Sequence, residues 1–477
     1  MAREFKAVDR DQPMLLPPDL RDWLPEDHLA RLVLEVVEQL DLTAIEASFA
    51  RGGVGREAFD PRLLTGLLIY GYCQGVRSSR QIERACVTDV AFRVIAAQQR
   101  PDHTTLARFR QRHAAALAEL FGQVLSICGR AGLGRVGIVA IDGTKIAGQA
   151  SPRKNYTEKT LRKLAAGIIE DAAAIDDAED AEFGPDRSGD ELPDDLRPGP
   201  ERAARIRQAL AQVEVEKAVA AAEDTAVAER KVARARRAAA RERGYQARRR
   251  EGKRSRVDRM PLDQQVKVRR ADARVAVTEQ ELAEANAGQG RRAQKANPVA
   301  NISDPDSHIM FVRGKGYLQG YNAQLAVSDD HLIVATGVST DTNDMLLFPG
   351  MLDQTVATVV AHLDGAEIGI VLADAGYCTH DALTCPGPDR LIATGRKPGQ
   401  PAQTGKDPAI GAMAKRLEDN SPDRVTYRRR QATVEPVIGQ LKERLGLRRF
   451  ARRGKQAAEH ELAFAAMVYN ISRLATR

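Results

Sequence analysis

The chain has 477 residues, 43% apolar and 29% charged, with a formal net charge of +7 and a pI near 9.1. That length suits two to four domains of about 100–200 residues each, and the basic balance suits an anionic polymer as partner. No run approaches the roughly 18 apolar residues of a membrane span, and "MAREFKAVDRDQP" lacks a signal-peptide core, so a cytoplasmic protein without membrane contact is expected. Five cysteines are widely spread without a C-x-x-C pair, which reads as reduced, structural thiols.

Residues 18–130 alternate helical periodicity with short breakers: "DHLARLVLEVVEQL", "PRLLTGLLIYGYCQGV", "SSRQIERACV", then a run from "DHTTLARFRQRH" to Cys128. An all-α module is expected here. Ser79 precedes one short helix, and Asp102 is placed to cap the next, whose first turns carry Arg108, Arg110 and Arg112. Those arginines suit either an ordinary solvated face or a DNA-contacting helix.

Three glycines in "GLGRVG" match G-x-G-x-x-G, but a helix precedes and a strand follows, so the segment reads as a turn. The next run, "VGIVAIDGTKIAGQA", is strand-like on both sides of Asp142-Gly143. On local pattern that dipeptide reads as a hairpin turn, with a site aspartate as the alternative.

From about Pro152 to Pro298 the strand signal vanishes. An acidic stretch broken by Pro and Gly reads as loop, and two Ala-rich runs, 201–243 and 261–286, read as a helical hairpin or coiled coil. Its apolar positions are expected at Ile206, Leu210 and Val213 on one run and Val266, Val275 and Leu282 on the other. Residues 226–270 hold 17 Lys and Arg against 5 Asp and Glu, an excess larger than that of the whole chain. Such density favours phosphate contact, and the near absence of aromatics, Tyr245 alone, favours a duplex over single strands.

Strand signals resume with "YLQGYNAQLAV" and "HLIVATGVS", followed by a helix, "IGIVLADAGY" and "RLIATG", which implies a mixed sheet with packed helices. Asp374 falls at the C-terminal end of "IGIVLAD", where that strand would leave the core, the favoured edge for sites in α/β sheets. In "YRRRQATVEPVIGQLKERLGLRRF" Glu435 stands among arginines. Thr433 reads as the cap of a helix of about twelve residues, with Pro436 in its first turn and Gly446 closing it. Val434, Val437, Ile438, Leu441 and Leu445 form a buried stripe, and Glu435, Gly439 and Lys442 share a column at its edge. An acid at a helix start also complements the dipole, so the pattern alone leaves both readings open.

Taken together, "AIDGTKI", "LADAGY" and "ATVEPVIGQLKERLGLRRFARRG", with "NISDPDSHIM", "GYNAQLAV" and "RPDHTTLARFRQRH", resemble the DDE transposases of bacterial insertion sequences. Glu435-x6-Lys442 matches the family's signature. Tyr427-x2-Arg430 keeps its internal spacing but lies one residue farther from Glu435, with Gln431 in the family arginine's phase, a shift that a loop before Thr433 would absorb. The resemblance implies an α/β fold with a ribonuclease-H-like mixed sheet over 131–155 and 299–477, a helical DNA-binding and assembly domain over 1–130, and a helical, coiled-coil insertion over 156–298. It implies that Asp142, Asp374 and Glu435 are catalytic and hold two Mg²⁺ ions, for which Mn²⁺ can substitute. Lys442, Arg430, Tyr427 and, more weakly, Lys145 would contact DNA, and Arg108, Arg110 and Arg112 would recognise the terminal inverted repeat. The implied partners are double-stranded DNA, both repeat and target, and further copies of the chain in a dimer or higher assembly on the bacterial nucleoid. A cutting-only metal nuclease and an inert DNA-binding derivative are the alternatives.

Overall fold

The computed structural model describes residues 19–49, 58–166, 200–252, 260–295, 298–312, 314, 316–395 and 407–476. The acidic stretch 167–199 and residues 253–259 of the basic link lie outside the described residues. The chain forms two compact units, residues 1–149 with 309–477, and residues 150–308.

Among the described residues of the first unit, a 3-10 turn (Leu20–Trp23) and seven α-helices precede the sheet: α1 (Leu29–Gln39), α2 (Thr43–Glu46), α3 (Pro61–Cys73), α4 (Ser79–Thr88), α5 (Val90–Ile95), α6 (His103–Arg112) and α7 (Ala114–Arg130). Local chemistry sets their starts. Asp60 accepts from the Arg62 amide with Pro61 behind it, Asp89 from Ala91 and Phe92, and Asp102 from Thr105. At α4 Ser78, not Ser79, occupies the cap position, and Ser79 is the first helical residue. The glycine-rich segment is a turn, with Gly132 and Gly134 at φ 79° and 86°.

The sheet contains β1 (Ile138–Ala147), β4 (His308–Val312), β5 (Gly316–Ser328), β6 (Ile333–Ser339), β7 (Ile370–Ala373) and β8 (Asp389–Ile392), ordered β4-β5-β1-β7-β8 with β6 also on β5. β1 runs antiparallel to β5 and parallel to β7, and β7 parallel to β8. The sheet is mixed, as the element order implied. The closing helix Lys455–Leu474 is buried along most of its length and packs on α7 and β6, so helices and sheet share one hydrophobic core. Its Asn470 accepts from the Ile333 amide at 3.0 Å and donates to the Ile333 carbonyl at 2.8 Å, satisfying the backbone at the start of β6.

Cys73, Cys86 and Cys128 are buried and their thiols are pushed up by that burial, to about 11, 11 and 12. They are structural. No described helix is long and apolar enough to cross a membrane.

In the second unit β2 (Asn155–Thr157) pairs antiparallel with β3 (Val299–Asn301). Asn301 organises the turn that follows: its amide donates to Ser151 O at 2.7 Å and its oxygen accepts from the Ser303 and Asp304 amides. The helix Pro200–Gly252, 53 residues long, packs against the helix Val266–Asn286. Lys231–Glu281, Arg236–Glu279 and Arg243–Asp272 pair at 2.6, 2.6 and 2.8 Å, fixing an antiparallel register. The seam uses Ala228, Val232, Ala235 and Ala239 against Val268, Thr278 and Ala285. The expected apolar positions are partly corrected, since Val266 is 60% exposed and Val213 packs with Leu161, Ala209 and Ala300 instead. Alanine fills four of the seven buried seam positions, where larger apolar residues were expected.

Candidate active site

β1 is one unbroken strand. The hairpin-turn reading of Asp142-Gly143 is overturned because the backbone on both sides of the dipeptide is paired, Asp142 to Leu325 and Gly143 to Gln324 on β5, a ladder that a turn would forfeit. On its other side β1 pairs Ile141 with Ala373, the last residue of β7. The next residues of both strands are Asp142 and Asp374, so two carboxylates from distant sequence leave neighbouring strands that lie about 4.8 Å apart. Asp374 also accepts from the Gly376 amide at 2.8 Å, starting a short 3-10 turn.

Side chains alternate across a strand, and each face of β1 carries its own cluster. On one face lies the helix Arg429–Glu443: Arg430 Nη1 is 2.8 Å from Asp142 Oδ2, and Lys442 Nζ donates to Thr144 Oγ1. On the other face stand Gly143 and Lys145. Asn322 and Gln324 donate to Asp344 Oδ1 at 2.7 and 2.9 Å, and Lys145 Nζ lies 3.5 Å from the same oxygen. A Cβ at Gly143 would fall 2.5 Å from Gln324 Nε2 and 2.7 Å from Asp344 Oδ1, so any larger residue would displace those hydrogen-bonded side chains.

The glutamate helix differs from expectation at its start. It runs continuously from Arg429, fifteen residues, with Thr433 inside it and back-bonded to Arg429 O at 2.9 Å, so Thr433 is no cap. Pro436 is therefore interior. The Ala432 carbonyl that its missing N–H leaves free accepts from His331 Nε2 at 3.0 Å, which explains how the helix tolerates the proline. No loop absorbs the one-residue shift between Arg430 and Glu435. Instead Gln431 donates to Glu435 Oε2 at 3.0 Å while Arg430 reaches Asp142. Val434, Val437, Leu441 and Leu445 are buried as expected, and Ile438 is half-buried.

The helix is anchored at both ends. Arg429 pairs with Asp329 at one end, and Gly446, at φ 69°, terminates the other. Beyond it Ala147 N donates to Arg448 O and Phe450 N to Ala147 O, tying the exit to the end of β1. Arg77, between α3 and α4, donates to Gly446 O at 2.6 Å and pairs with the buried Glu461.

Burial raises the pKa of Asp142; Arg430 opposes that and the charge of Asp374 adds to it. Burial also raises Tyr377, with the charges of Asp344, Asp142 and Asp374 reinforcing it, while its hydroxyl donates to Gln324 Oε1. Tyr427 is raised by burial against the pull of Arg430. Burial works against the Arg430 charge, but Asp142, Tyr427 and Asp374 outweigh it and its pKa is raised. Lys145 is lowered by burial, with Asp344 opposing.

The structure thus brings Asp142 and Asp374 together and joins Glu435 to them through Arg430, whose Nη2 lies 3.8 Å from Glu435 Oε1. Glu435 is the most open of these, its side chain 48% exposed. Arg430, Tyr427 and Lys442 gather on the same face, and Lys145 on the other. The α6 arginines lie elsewhere: Arg110 donates to Arg77 O at 2.8 Å and Arg112 to Ser48 O at 3.0 Å, while Arg108 is exposed. Asp344, Asn322, Gln324, Tyr377 and Thr144 were not anticipated. Their signal was a buried strand carrying the amides Gln319, Asn322 and Gln324 among apolar residues, where each polar group needs a partner.

Among the described residues no three His, Cys, Asp or Glu side chains converge in the geometry of a metal site. The donor chemistry nonetheless fits a hard divalent cation: adjacent carboxylates, one of them buried with its ionised form disfavoured, beside a guanidinium that offsets part of their charge.

Two family models match the chain: the transposase domain DUF772 over residues 18–112 and the transposase DDE domain over residues 304–471. Both describe transposases, which sets the class. Within it, the chain belongs to the DDE transposases of insertion sequences. No curated protein and no solved structure matches it.

Proposed function

We propose that the chain cuts DNA at the terminal inverted repeats of its element and joins the freed 3′ ends to target DNA. The observation that carries this reading is the β1–β7 register, which delivers Asp142 and Asp374 side by side beneath the helix bearing Glu435. In this reading the mixed sheet is a ribonuclease-H-like core over 131–155 and 299–477. Residues 1–130 bind DNA ends and assemble copies of the chain, and 156–298 is a coiled-coil insertion. Mg²⁺ held by Asp142, Asp374 and Glu435 would stabilise both the attacking and the leaving oxygens of an in-line phosphoryl displacement.

The chain's own residues prepare that chemistry. Arg430 orients Asp142 and offsets charge in a site where burial disfavours ionisation. Lys442, steadied by Thr144, presents an ammonium to a phosphate on the same face, and Tyr427 packs beside Arg430. Arg108, exposed on α6, is the arginine of that helix best presented to a repeat.

The test is cleavage of a labelled duplex carrying the element's terminal repeat, with Mg²⁺, for wild type and for Asp142→Asn, Asp374→Asn and Glu435→Gln. Loss of cutting with binding retained in all three supports the reading. Normal cutting by Glu435→Gln sinks its assignment, and cutting without joining identifies a nuclease.

A further inference from the structure

The long helix of the second unit divides its cations between two faces. Lys231, Arg236 and Arg243 flank the hairpin seam and are paired with Glu281, Glu279 and Asp272. Arg230, Arg234, Arg237, Arg241 and Arg248 are exposed, and no described carboxylate pairs with them. At about 100° per residue these five fall within an arc of about 60°, almost opposite the buried arc of Ala228, Val232, Ala235, Ala239 and Gln246. No Asp or Glu shares their arc between residues 226 and 250. The stripe extends about 27 Å along the helix axis.

This distribution is not that of an ordinary solvated helix. Like charges three and four residues apart oppose one another, and a helix built for solubility alternates signs. Here the acids are spent on the seam and the outward face is left purely cationic. The one aromatic side chain beside the stripe is Tyr245, over which Arg249 lies at 6.0 Å, so a platform for stacking unpaired bases is lacking among the described residues.

We propose that this stripe is a sequence-independent track for the phosphate backbone of duplex DNA, a contact surface additional to the site on β1. The proposal rests on the reading of the chain as a DNA transposase only for the identity of its polyanion. Five guanidiniums with no base-reading geometry would supply affinity and salt dependence without sequence preference.

The experiment uses the full chain and a duplex of about 40 base pairs without a terminal repeat, with binding measured between 50 and 200 mM NaCl. Replacing Arg230, Arg234, Arg237 and Arg241 with Gln, a good helix former, is expected to flatten the slope of log K against log salt by about 3 to 4. Wild type then loses about a hundredfold more affinity than the variant over that fourfold salt range. Helical content by circular dichroism verifies that the hairpin persists. A slope change below about 1, an equal change on replacing Lys267, Arg269, Arg270 and Arg274 instead, or a preference for single-stranded DNA would overturn the proposal. Absence of repeat cleavage by wild type would remove the transposase reading, and the slope would still decide the stripe.

Discussion

Replacing Gly143 with Ala tests the two-faced geometry of β1 directly. The added carbon would sit 2.5 Å from Gln324 Nε2, 2.7 Å from Asp344 Oδ1 and 3.1 Å from Asn322 Oδ1. Gln324 Nε2 donates to Asp344 Oδ1 at 2.9 Å and to Asn322 Oδ1 at 3.0 Å, and Asn322 Nδ2 donates to the same Asp344 oxygen at 2.7 Å, so at least two hydrogen bonds must open. At about 1 kcal/mol for each bond, with about 1–3 kcal/mol for overpacking a closed site, the loss comes to about 3–5 kcal/mol. Thermal unfolding of the full chain should shift down by about 10 °C. Repeat cleavage should fall with it, because the strand that carries Asp142 must move. A glycine in a hairpin turn would instead lose about 1 kcal/mol. A shift that small, with cleavage unchanged, would refute both the continuous strand and the packing of Asp344 against it.

Arg430→Gln removes the partner of a carboxylate only 16% exposed and should destabilise the protein by about 3 kcal/mol in the absence of divalent ions. Added Mg²⁺ should then raise the unfolding temperature of the variant more than that of wild type, and equal shifts would contradict the charge-offsetting role. Asp142 has a raised native pKa, so its ionised form lowers stability at neutral pH, and stability is regained as pH falls through the raised value toward 3.8. Asp142→Asn should therefore show a flatter pH dependence of stability than wild type without metal, while cleavage is abolished; thermal scans at pH 7 and 4.5 decide it. Asp102, capping α6, is lowered to about 2 by its Thr105 bonds, so its contribution is present above about 3.8 and fades as pH falls toward 2. Asp102→Ala should cost about 1 kcal/mol at pH 7 by denaturant titration, with the difference shrinking below pH 3.8.

Much of this was legible in the sequence because it is local. The start of α6 followed from Asp102, and the succession of strands along the chain followed from runs whose periodicity and flanking turns were clear. The two aspartates were found by motif, yet local pattern alone misread the first, since a strand paired on both sides looks like a hairpin wherever Asp precedes Gly. The start of the glutamate helix was misplaced for a related reason. Pro436 signals a first turn unless a distant donor serves the Ala432 carbonyl, and His331 is about a hundred residues away. Asp344 was missed because nothing near it in sequence hints at Asn322, Gln324 and Lys145.

The antiparallel pairing of β1 with β5 places Ala147 opposite Gly320, and Gly148 N donates to Gln319 O at 3.0 Å just before the chain departs. The chain thus leaves the first unit after β1 and re-enters it at Ile309 on β4, two strands that β5 alone separates in the sheet. Loop-closure entropy there depends only weakly on how many residues intervene. The register that matters for chemistry, Ile141 with Ala373, is fixed between β1 and β7 and is indifferent to what is spliced in after Gln149. The scaffold therefore has a permissive graft point, at which modules can be exchanged, lengthened or removed by recombination while the geometry that aligns Asp142 with Asp374 is inherited intact.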